Sequence, residues 1–312
     1  MSTIHERVAA ARQTLGHAGI GSVEAEVSAR ILAEHVLGWD ATRYFTSANE
    51  PEPPDFAERY DALVARRGAR EPAAYITGRQ EFWGLSFEVG PAVLIPRPST
   101  ELIVEAALEA FGADRSRPIA VADACTGCGC LAVALAHELS RASVVATDIS
   151  DTALDVARRN AERHGVADRI RFVHANVLDG IDTSQSPLRE HEGTGVAMWR
   201  GPLGLRSTFD LIVANPPYVR QGDRPGLQPE VRDYEPPAAL FGGESGIELV
   251  ATVVEQAAAR LRAGGYLMVE FGFGQEMVAE ELIEQAPGLT MVGLRRDLLG
   301  LARIAIAKRA LT

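Results

Sequence analysis

The chain has 312 residues, 46% hydrophobic and 23% charged, with 31 basic against 42 acidic side chains and a formal net charge of -11. That balance suits a folded globular protein with one large domain and a smaller companion, and the acidic excess weighs against a protein that tracks nucleic-acid phosphates. No run of about 18 apolar residues is present to cross a membrane; the start, Met1-Ser-Thr-Ile-His-Glu-Arg7, has no apolar signal core, and the cysteines (Cys125, Cys128, Cys130) are too close together to staple distant segments, so a reducing, cytoplasmic compartment is expected.

Residues 1–74 read as a small helical domain. Ile4, Val8, Ala11 and Leu15 recur at helical spacing, as do Val23, Val27, Ile31, Leu32, His35 and Val36, and then Phe56, Tyr60, Leu63 and Val64. The prolines of Asn49-Glu-Pro-Glu-Pro-Pro-Asp55 forbid helix before the third group. Residues 75–92 read as a β-hairpin connector, with Gly84 between aromatic and aliphatic residues. From 93 to 312 a helix is expected at 99–111, and then strands and helices alternate: strands at 119–122, 143–147, 170–174, 209–214 and 265–271, helices at 131–138, 152–164, 246–263 and about 275–285. Such alternation predicts parallel βαβ units. The last two strands, 290–294 and 302–307, are joined by Arg-Arg-Asp-Leu-Leu-Gly, too short for a crossover, so they must be antiparallel. The expected fold is therefore α/β: a Rossmann-like sheet of the class I methyltransferase kind with a C-terminal antiparallel hairpin, plus the helical N-terminal domain joined by the β-hairpin. Residues 183–208, polar and then Gly- and Pro-bearing, read as a flexible insertion.

The first βα turn runs Asp123-Ala-Cys125-Thr126-Gly127-Cys128-Gly129. Two glycines allow a tight turn and close backbone approach to a ligand, with the N-terminus of the following helix aimed at it. Ala132 stands where a dinucleotide fingerprint wants a third glycine, which disfavours NAD. Asp148, at the end of the next strand and followed by Ile149, is placed to accept hydrogen bonds from two ribose hydroxyls, and Asn176-Val177 offers an adenine a polar group and an apolar wall. The expected cofactor is S-adenosyl-L-methionine, with Asp123 at the first strand's end and Asn215 also among its expected contacts. Cys-x-x-Cys-x-Cys supplies three sulfurs where a structural zinc wants four ligands, so no metal is expected.

The strand at 209–214 runs directly into Asn215-Pro216-Pro217-Tyr218. Paired prolines stiffen the backbone and leave carbonyl acceptors at the carboxyl end of the sheet. The Asn215 side-chain oxygen and the Pro216 carbonyl suit the two hydrogens of a planar NH2 group, and Tyr218 offers a flat face. An amide or aryl amine nitrogen must localise its lone pair to attack a methyl group, and acceptors that bind its hydrogens stabilise the charge that builds there.

In these motifs the chain resembles the HemK/PrmC family of protein-glutamine methyltransferases. The likeness also takes in Pro72-Ala-Ala-Tyr-Ile-Thr-Gly-Arg-Gln-Glu-Phe-Trp-Gly84, Leu94-Ile-Pro-Arg-Pro98, Glu235-Pro-Pro-Ala-Ala-Leu240 and Gly242-Gly-Glu-Ser-Gly246. The resemblance implies methyl transfer from S-adenosyl-L-methionine to the glutamine amide of the Gly-Gly-Gln motif of peptide chain release factors, with the N-terminal module docking the release factor. It implies Cys125 to Gly129, Asp148 and Asn176-Val177 for the cofactor, Asn215 to Tyr218 for the amide, and Phe82, Arg97 and Glu101 as substrate contacts. Cys125 stands where the family commonly has glycine, and Ser99 where an acidic residue is common. Three alternatives stay open: glutamine methylation of a large-subunit ribosomal protein, which a cysteine at 125 also suits; amino methylation of adenine or guanine in DNA or RNA; and a non-catalytic cofactor-binding scaffold.

Overall fold

The computed structural model describes residues 2–111, 117–181 and 209–311, so the expected insertion at 183–208 lies outside the described residues. In chain order the helices α1 (Ile4–His17), α2 (Ser22–Leu37), α3 (Ala41–Ser47), α4 (Phe56–Gly68) and α5 (Ala73–Thr77) precede the hairpin β1 (Arg79–Phe82) and β2 (Leu85–Glu88). Then come α6 (Glu101–Phe111), β3 (Ile119–Ala124), α7 (Cys130–Glu138), β4 (Ala142–Asp148), α8 (Asp151–Arg163), β5 (Ile170–His174), β6 (Phe209–Ala214), β7 (Val219–Arg220), α9 (Pro229–Tyr234), α10 (Pro237–Leu240), β8 (Phe241–Gly243), α11 (Glu248–Arg260), β9 (Leu261–Glu270), α12 (Glu276–Gln285), β10 (Leu289–Arg296) and β11 (Ala302–Arg309). The chain divides into two compact units, one of residues 1–79 with 227–235, the other of residues 80–226 with 236–312.

In the first unit, α1 begins with a reciprocal cap between Thr3 and Glu6 and buries Ile4, Val8, Ala11 and Leu15, the stripe read from the sequence. The reading of α2 needs correction. Val23 and Val27 are 76% and 41% exposed, and the buried face is Ala25, Ser28, Ala29, Leu32, Ala33 and Val36. Small side chains let α2 pack closely, so its inner face carries little hydrophobic signal. Arg67 of α4 is only 1% exposed. Its guanidinium binds Glu24 at 2.6 Å, Glu230 of α9 at 2.8 Å and the Ser28 hydroxyl at 3.2 Å, while Arg70 holds the other Glu230 oxygen at 2.6 Å. This ionic clasp ties 227–235 to helices more than 150 residues earlier in the chain.

The second unit is built on a seven-stranded sheet of order β10-β11-β9-β6-β3-β4-β5. β9, β6, β3, β4 and β5 run parallel, and β11 is antiparallel to both β9 and β10. The parallel sheet and antiparallel C-terminal pair were both legible from connection lengths. Strand residues alternate between two cores: Val121, Val144, Leu211, Val213 and Met268 face one with α6 and α7, whereas Ala122, Val145, Ile212, Ala214 and Val269 face the other with α11 and α12. β9 starts at Leu261, before the expected 265, because Gly264 and Gly265 carry the chain through a bulge. A Cβ on Gly265 would lie 3.0 Å from the Phe209 carbonyl oxygen.

Register aligns the strand ends. Ala124 pairs with both Thr147 and Ala214, and Ala214 pairs with Val269. The residues that follow, Cys125, Asp148, Asn215 and Glu270, therefore reach the carboxyl edge together.

Removing one partner of a buried ion pair leaves the other charge desolvated. Glu230→Ala should destabilise the first unit by about 3 kcal/mol, seen as an earlier denaturant midpoint for a probe such as Trp39.

Candidate active site

A cavity of about 270 Å³ opens at the carboxyl edge of the second unit's sheet. It is lined by Cys125, Thr126, Gly127 and Cys128 of the first turn, by Asp148 and Ile149, by Asn176 and Val177, and by Asn215 and Pro217. Four separate βα connections thus converge on one space, as expected where ligands bind in open α/β sheets.

Each wall has a local reason for its shape. Gly127 and Gly129 both have positive φ, and Gly129 is the left-handed residue before α7. A Cβ on Gly127 would meet nothing within 4 Å, whereas one on Gly129 would stand 3.0 Å from the Ala157 Cβ. Gly127 leaves room beside the cavity, and Gly129 lets α8 pack against the turn. Asn160 of α8 is fully buried and donates from Nδ2 to the Cys128 carbonyl at 2.9 Å, fixing the turn from behind. Cys125 and Val177 also have positive φ, unusual for residues with a Cβ and more so for a β-branched one. The Val177 carbonyl is pinned by the buried Thr147 hydroxyl at 2.5 Å, and the next amide, of Leu178, donates to Gln256 at 2.7 Å. Backbone strain of this kind persists only where the surroundings over-determine it.

The carboxylates differ in exposure and bonding. Asp148 accepts the Gly127 N–H on one oxygen and the Ser150 N–H on the other, each at 2.9 Å, and burial pushes its pKa up against these bonds. Each oxygen keeps a lone pair for a ligand hydroxyl. Asp123 lies beneath the turn and outside the cavity wall. Burial pushes its carboxyl up to about 7 despite bonds from the Thr126 hydroxyl at 2.5 Å and the Ala132 N–H at 3.0 Å, and its Oδ1 has no hydrogen-bond partner among the described residues. Burial likewise pushes the Cys125 thiol up, and a hydrogen bond with Cys128, then burial, pushes the Cys130 thiol up. Cys125, Cys128 and Cys130 all line the cavity, where a thiol occupies little space.

At Asn215 to Tyr218 the structure adds partners the sequence did not reveal. Asn215 Nδ2 donates to the Thr100 hydroxyl at 3.0 Å, and Thr100 itself lines the cavity. Tyr218 does not line it; its ring packs in the second sheet core and its hydroxyl donates to Glu270 at 3.1 Å, so its expected role as a flat face for the substrate gives way to a buried tie. The Tyr218 carbonyl is taken by Gln275 Nε2 at 3.1 Å. Gly242 and Gly246 have a steric purpose: a Cβ on Gly242 would lie 2.3 Å from the Pro217 carbonyl oxygen, and one on Gly246 2.5 Å from that of Tyr218. Glycines there let a loop lie flat against the Asn-Pro-Pro-Tyr backbone.

Of the three expected substrate contacts, Phe82 is 1% exposed and packs edge-on to Phe87 in the core, which removes it from any binding surface. Glu101 accepts the Trp83 N–H at 2.7 Å and holds the hairpin turn. Arg97 is half-buried, with its charge acting on Tyr218. The cavity wall also includes Val93, Leu94 and Pro96 and, from the other side, Pro236, Ala238 and Leu249. Most of these belong to the quoted family motifs, but nothing in their spacing assigned them to the site.

Residues 6–78 match the family described as the PrmC N-terminal domain, and residues 121–188 match a methyltransferase domain. A release factor glutamine methyltransferase from Nitratidesulfovibrio vulgaris is 41% identical over 254 residues, 81% of this chain and 77% of that protein. One of the same name from Geobacter sulfurreducens is 42% identical over 82% of this chain and 80% of that protein. Among solved structures, the hMettl16 catalytic domain in complex with MAT2A 3'UTR hairpin 6 superimposes with a TM-score of 0.52 at 17% identity, covering 83% of this chain and 82% of that one, a likeness of fold alone.

Two outcomes are expected from this geometry. Gly129→Ala should cost about 2 kcal/mol or more of stability and Gly127→Ala about 1 kcal/mol, as read by thermal unfolding. Asp123 titrates near 3.8 when unfolded and near 7 when folded, so its contribution to stability is full below the first value and falls as pH rises to the second. Urea unfolding of Asp123→Asn should accordingly gain on wild type as pH rises from about 4 to about 7.

Proposed function

The chain belongs to the release factor glutamine methyltransferase family, and from that premise we propose that it transfers a methyl group from S-adenosyl-L-methionine to the side-chain amide nitrogen of the glutamine in the Gly-Gly-Gln motif of a peptide chain release factor. The observation that carries this reading is the presence in one cavity of Asp148, suited to a ribose, and Asn215, suited to an amide.

The cofactor supplies a sulfonium methyl group as the electrophile. The donor set fits it: Asp148 has lone pairs for the ribose hydroxyls, Asn176, Val177 and the 60% exposed Ile149 border the adenine position, and Cys125 to Gly129 form the turn for the remainder. Asp123 supports that turn from below through Thr126 and Ala132.

On the acceptor side, Asn215 Oδ1 and the Pro216 carbonyl accept the two hydrogens of the glutamine amide. They orient the nitrogen for in-line attack and take up the positive charge that develops there, an interaction stronger in the transition state than in the ground state. Pro217 walls the position and Tyr218 ties the motif to Glu270. No strong base is needed before transfer, because the amide proton becomes acidic only once the nitrogen is cationic. Rate then comes from alignment and electrostatics. The helical unit of residues 1–79 is the proposed docking element for the release factor, and a cytoplasmic location goes with that partner. The net charge of -11 supports a protein over a nucleic-acid substrate.

Incubation with purified release factor and labelled cofactor should place one methyl group on the glutamine of Gly-Gly-Gln, located by tandem mass spectrometry. Asn215→Ala should lower kcat by about 100-fold or more while changing cofactor Kd by less than about threefold. Methylation of a ribosomal protein or a nucleic acid in place of the release factor, or equal rates for Asn215→Ala and wild type, would overturn the proposal.

A further inference from the structure

Glu270, the last residue of β9, is fully buried and accepts three hydroxyl hydrogen bonds. Ser99 Oγ and the Tyr218 hydroxyl donate to Oε1, each at 3.1 Å, and Thr100 Oγ1 donates to Oε2 at 2.7 Å. Burial pushes this carboxyl up, while the three hydroxyls and the charge of Arg303 favour its ionised form. With three hydroxyls directed at its two oxygens, Glu270 acts as the acceptor in all three bonds. The single Thr100 hydrogen is therefore committed to Glu270, and Thr100 can offer Asn215 only a lone pair. A lone pair must be met by a donor, which is the Nδ2 end of Asn215, at 3.0 Å. The planar amide then carries its oxygen on the side away from Thr100.

We propose that Glu270 is a positioning residue that sets, through the Thr100 hydroxyl, which end of the Asn215 side-chain amide is presented to the substrate. The inference rests on the functional reading above and adds the source of the site's polarity. A rotation of the Asn215 amide by half a turn is nearly neutral in shape, yet it exchanges an acceptor for a donor. With the oxygen presented, the site grips the hydrogens of a substrate NH2 group. With the nitrogen presented, it repels them and favours the substrate carbonyl. Three side chains from separate segments act as one relay: an acceptor-only group at the sheet end, a hydroxyl just before α6 and the amide after β6.

Glu270→Gln keeps the shape and introduces a donor. The amide installed there can then give its own hydrogen to Thr100, which turns the Thr100 hydrogen toward Asn215 and reverses the Asn215 amide. The expected result is a fall in kcat of about 100-fold, with KM for release factor and cofactor Kd each within about threefold of wild type. Thr100→Val should match that loss, and Thr100→Ser, which retains the hydroxyl, should recover at least about tenfold over Thr100→Val; this pair decides the matter even if Glu270→Gln fails to fold. The orientation is read without any methylation assay from hydrogen exchange of the Asn215 side-chain NH2 signals by NMR. Those signals should be protected in wild type and exposed in Glu270→Gln. A Glu270→Gln enzyme with wild-type kcat, a Thr100→Ser enzyme as impaired as Thr100→Val, or unchanged Asn215 exchange overturns the relay. A wild-type protein that fails to methylate release factor, yet shows the exchange difference, overturns the substrate reading and leaves the relay standing.

Discussion

The parallel pairing of β9, β6, β3, β4 and β5 is the constraint on which the second unit depends. Parallel strands need crossovers, so all their carboxyl ends lie on one edge, and here the register levels them to within a residue. Cys125, Asp148, Asn176, Asn215 and Glu270, far apart in sequence, are delivered to a single rim. A shift of one residue in any of these strands would swap its two packing faces, mixing the two cores. Core packing thereby protects the site's alignment, and Val177 belongs both to the second core and to the cavity wall.

Buried acids give this rim its direction. Asp148, Asp123 and Glu270 each lose solvation, and each is met by donors from backbone or hydroxyl groups in place of a cation at close range. At the opposite end of the same sheet Asp210 does different work, accepting the Ala120 N–H and pairing with Arg117 and Arg262. Where the sheet only needs closing, the carboxylate takes cations. At the carboxyl rim the carboxylates take neutral donors instead, and Asp148 lines the cavity.

In the helical unit the organising group is a cation. Arg67 is buried by α2 and α4 and answered by Glu24 and Glu230, so a nine-residue segment that follows the Asn-Pro-Pro-Tyr strand in sequence is held by helices near the N-terminus. No local pattern marks that segment for the first unit. It is tied there by long-range ion pairs of Glu230 with Arg67 and Arg70, 163 and 160 positions away.

Periodicity, strand and helix lengths and connection lengths determined the sheet, its antiparallel ending and the helical module, because these follow from local chain stiffness and from which residues leave water. The first turn, Asp148, Asn176 and Asn215 stood out in the sequence as glycines and polar groups at strand ends, and the fold brings them to one cavity. Tertiary structure alone decided the inward face of α2, the burial of Phe82 and the placing of Tyr218 behind the cavity wall. It also supplied the partner of Asn215, Thr100, 115 positions before it, and the acceptor of the Thr100 hydroxyl, Glu270, 55 positions after Asn215. A hydrogen bond needs atoms about 3 Å apart, and no spacing along the chain encodes which distant hydroxyl will meet which carboxylate once the strands have paired.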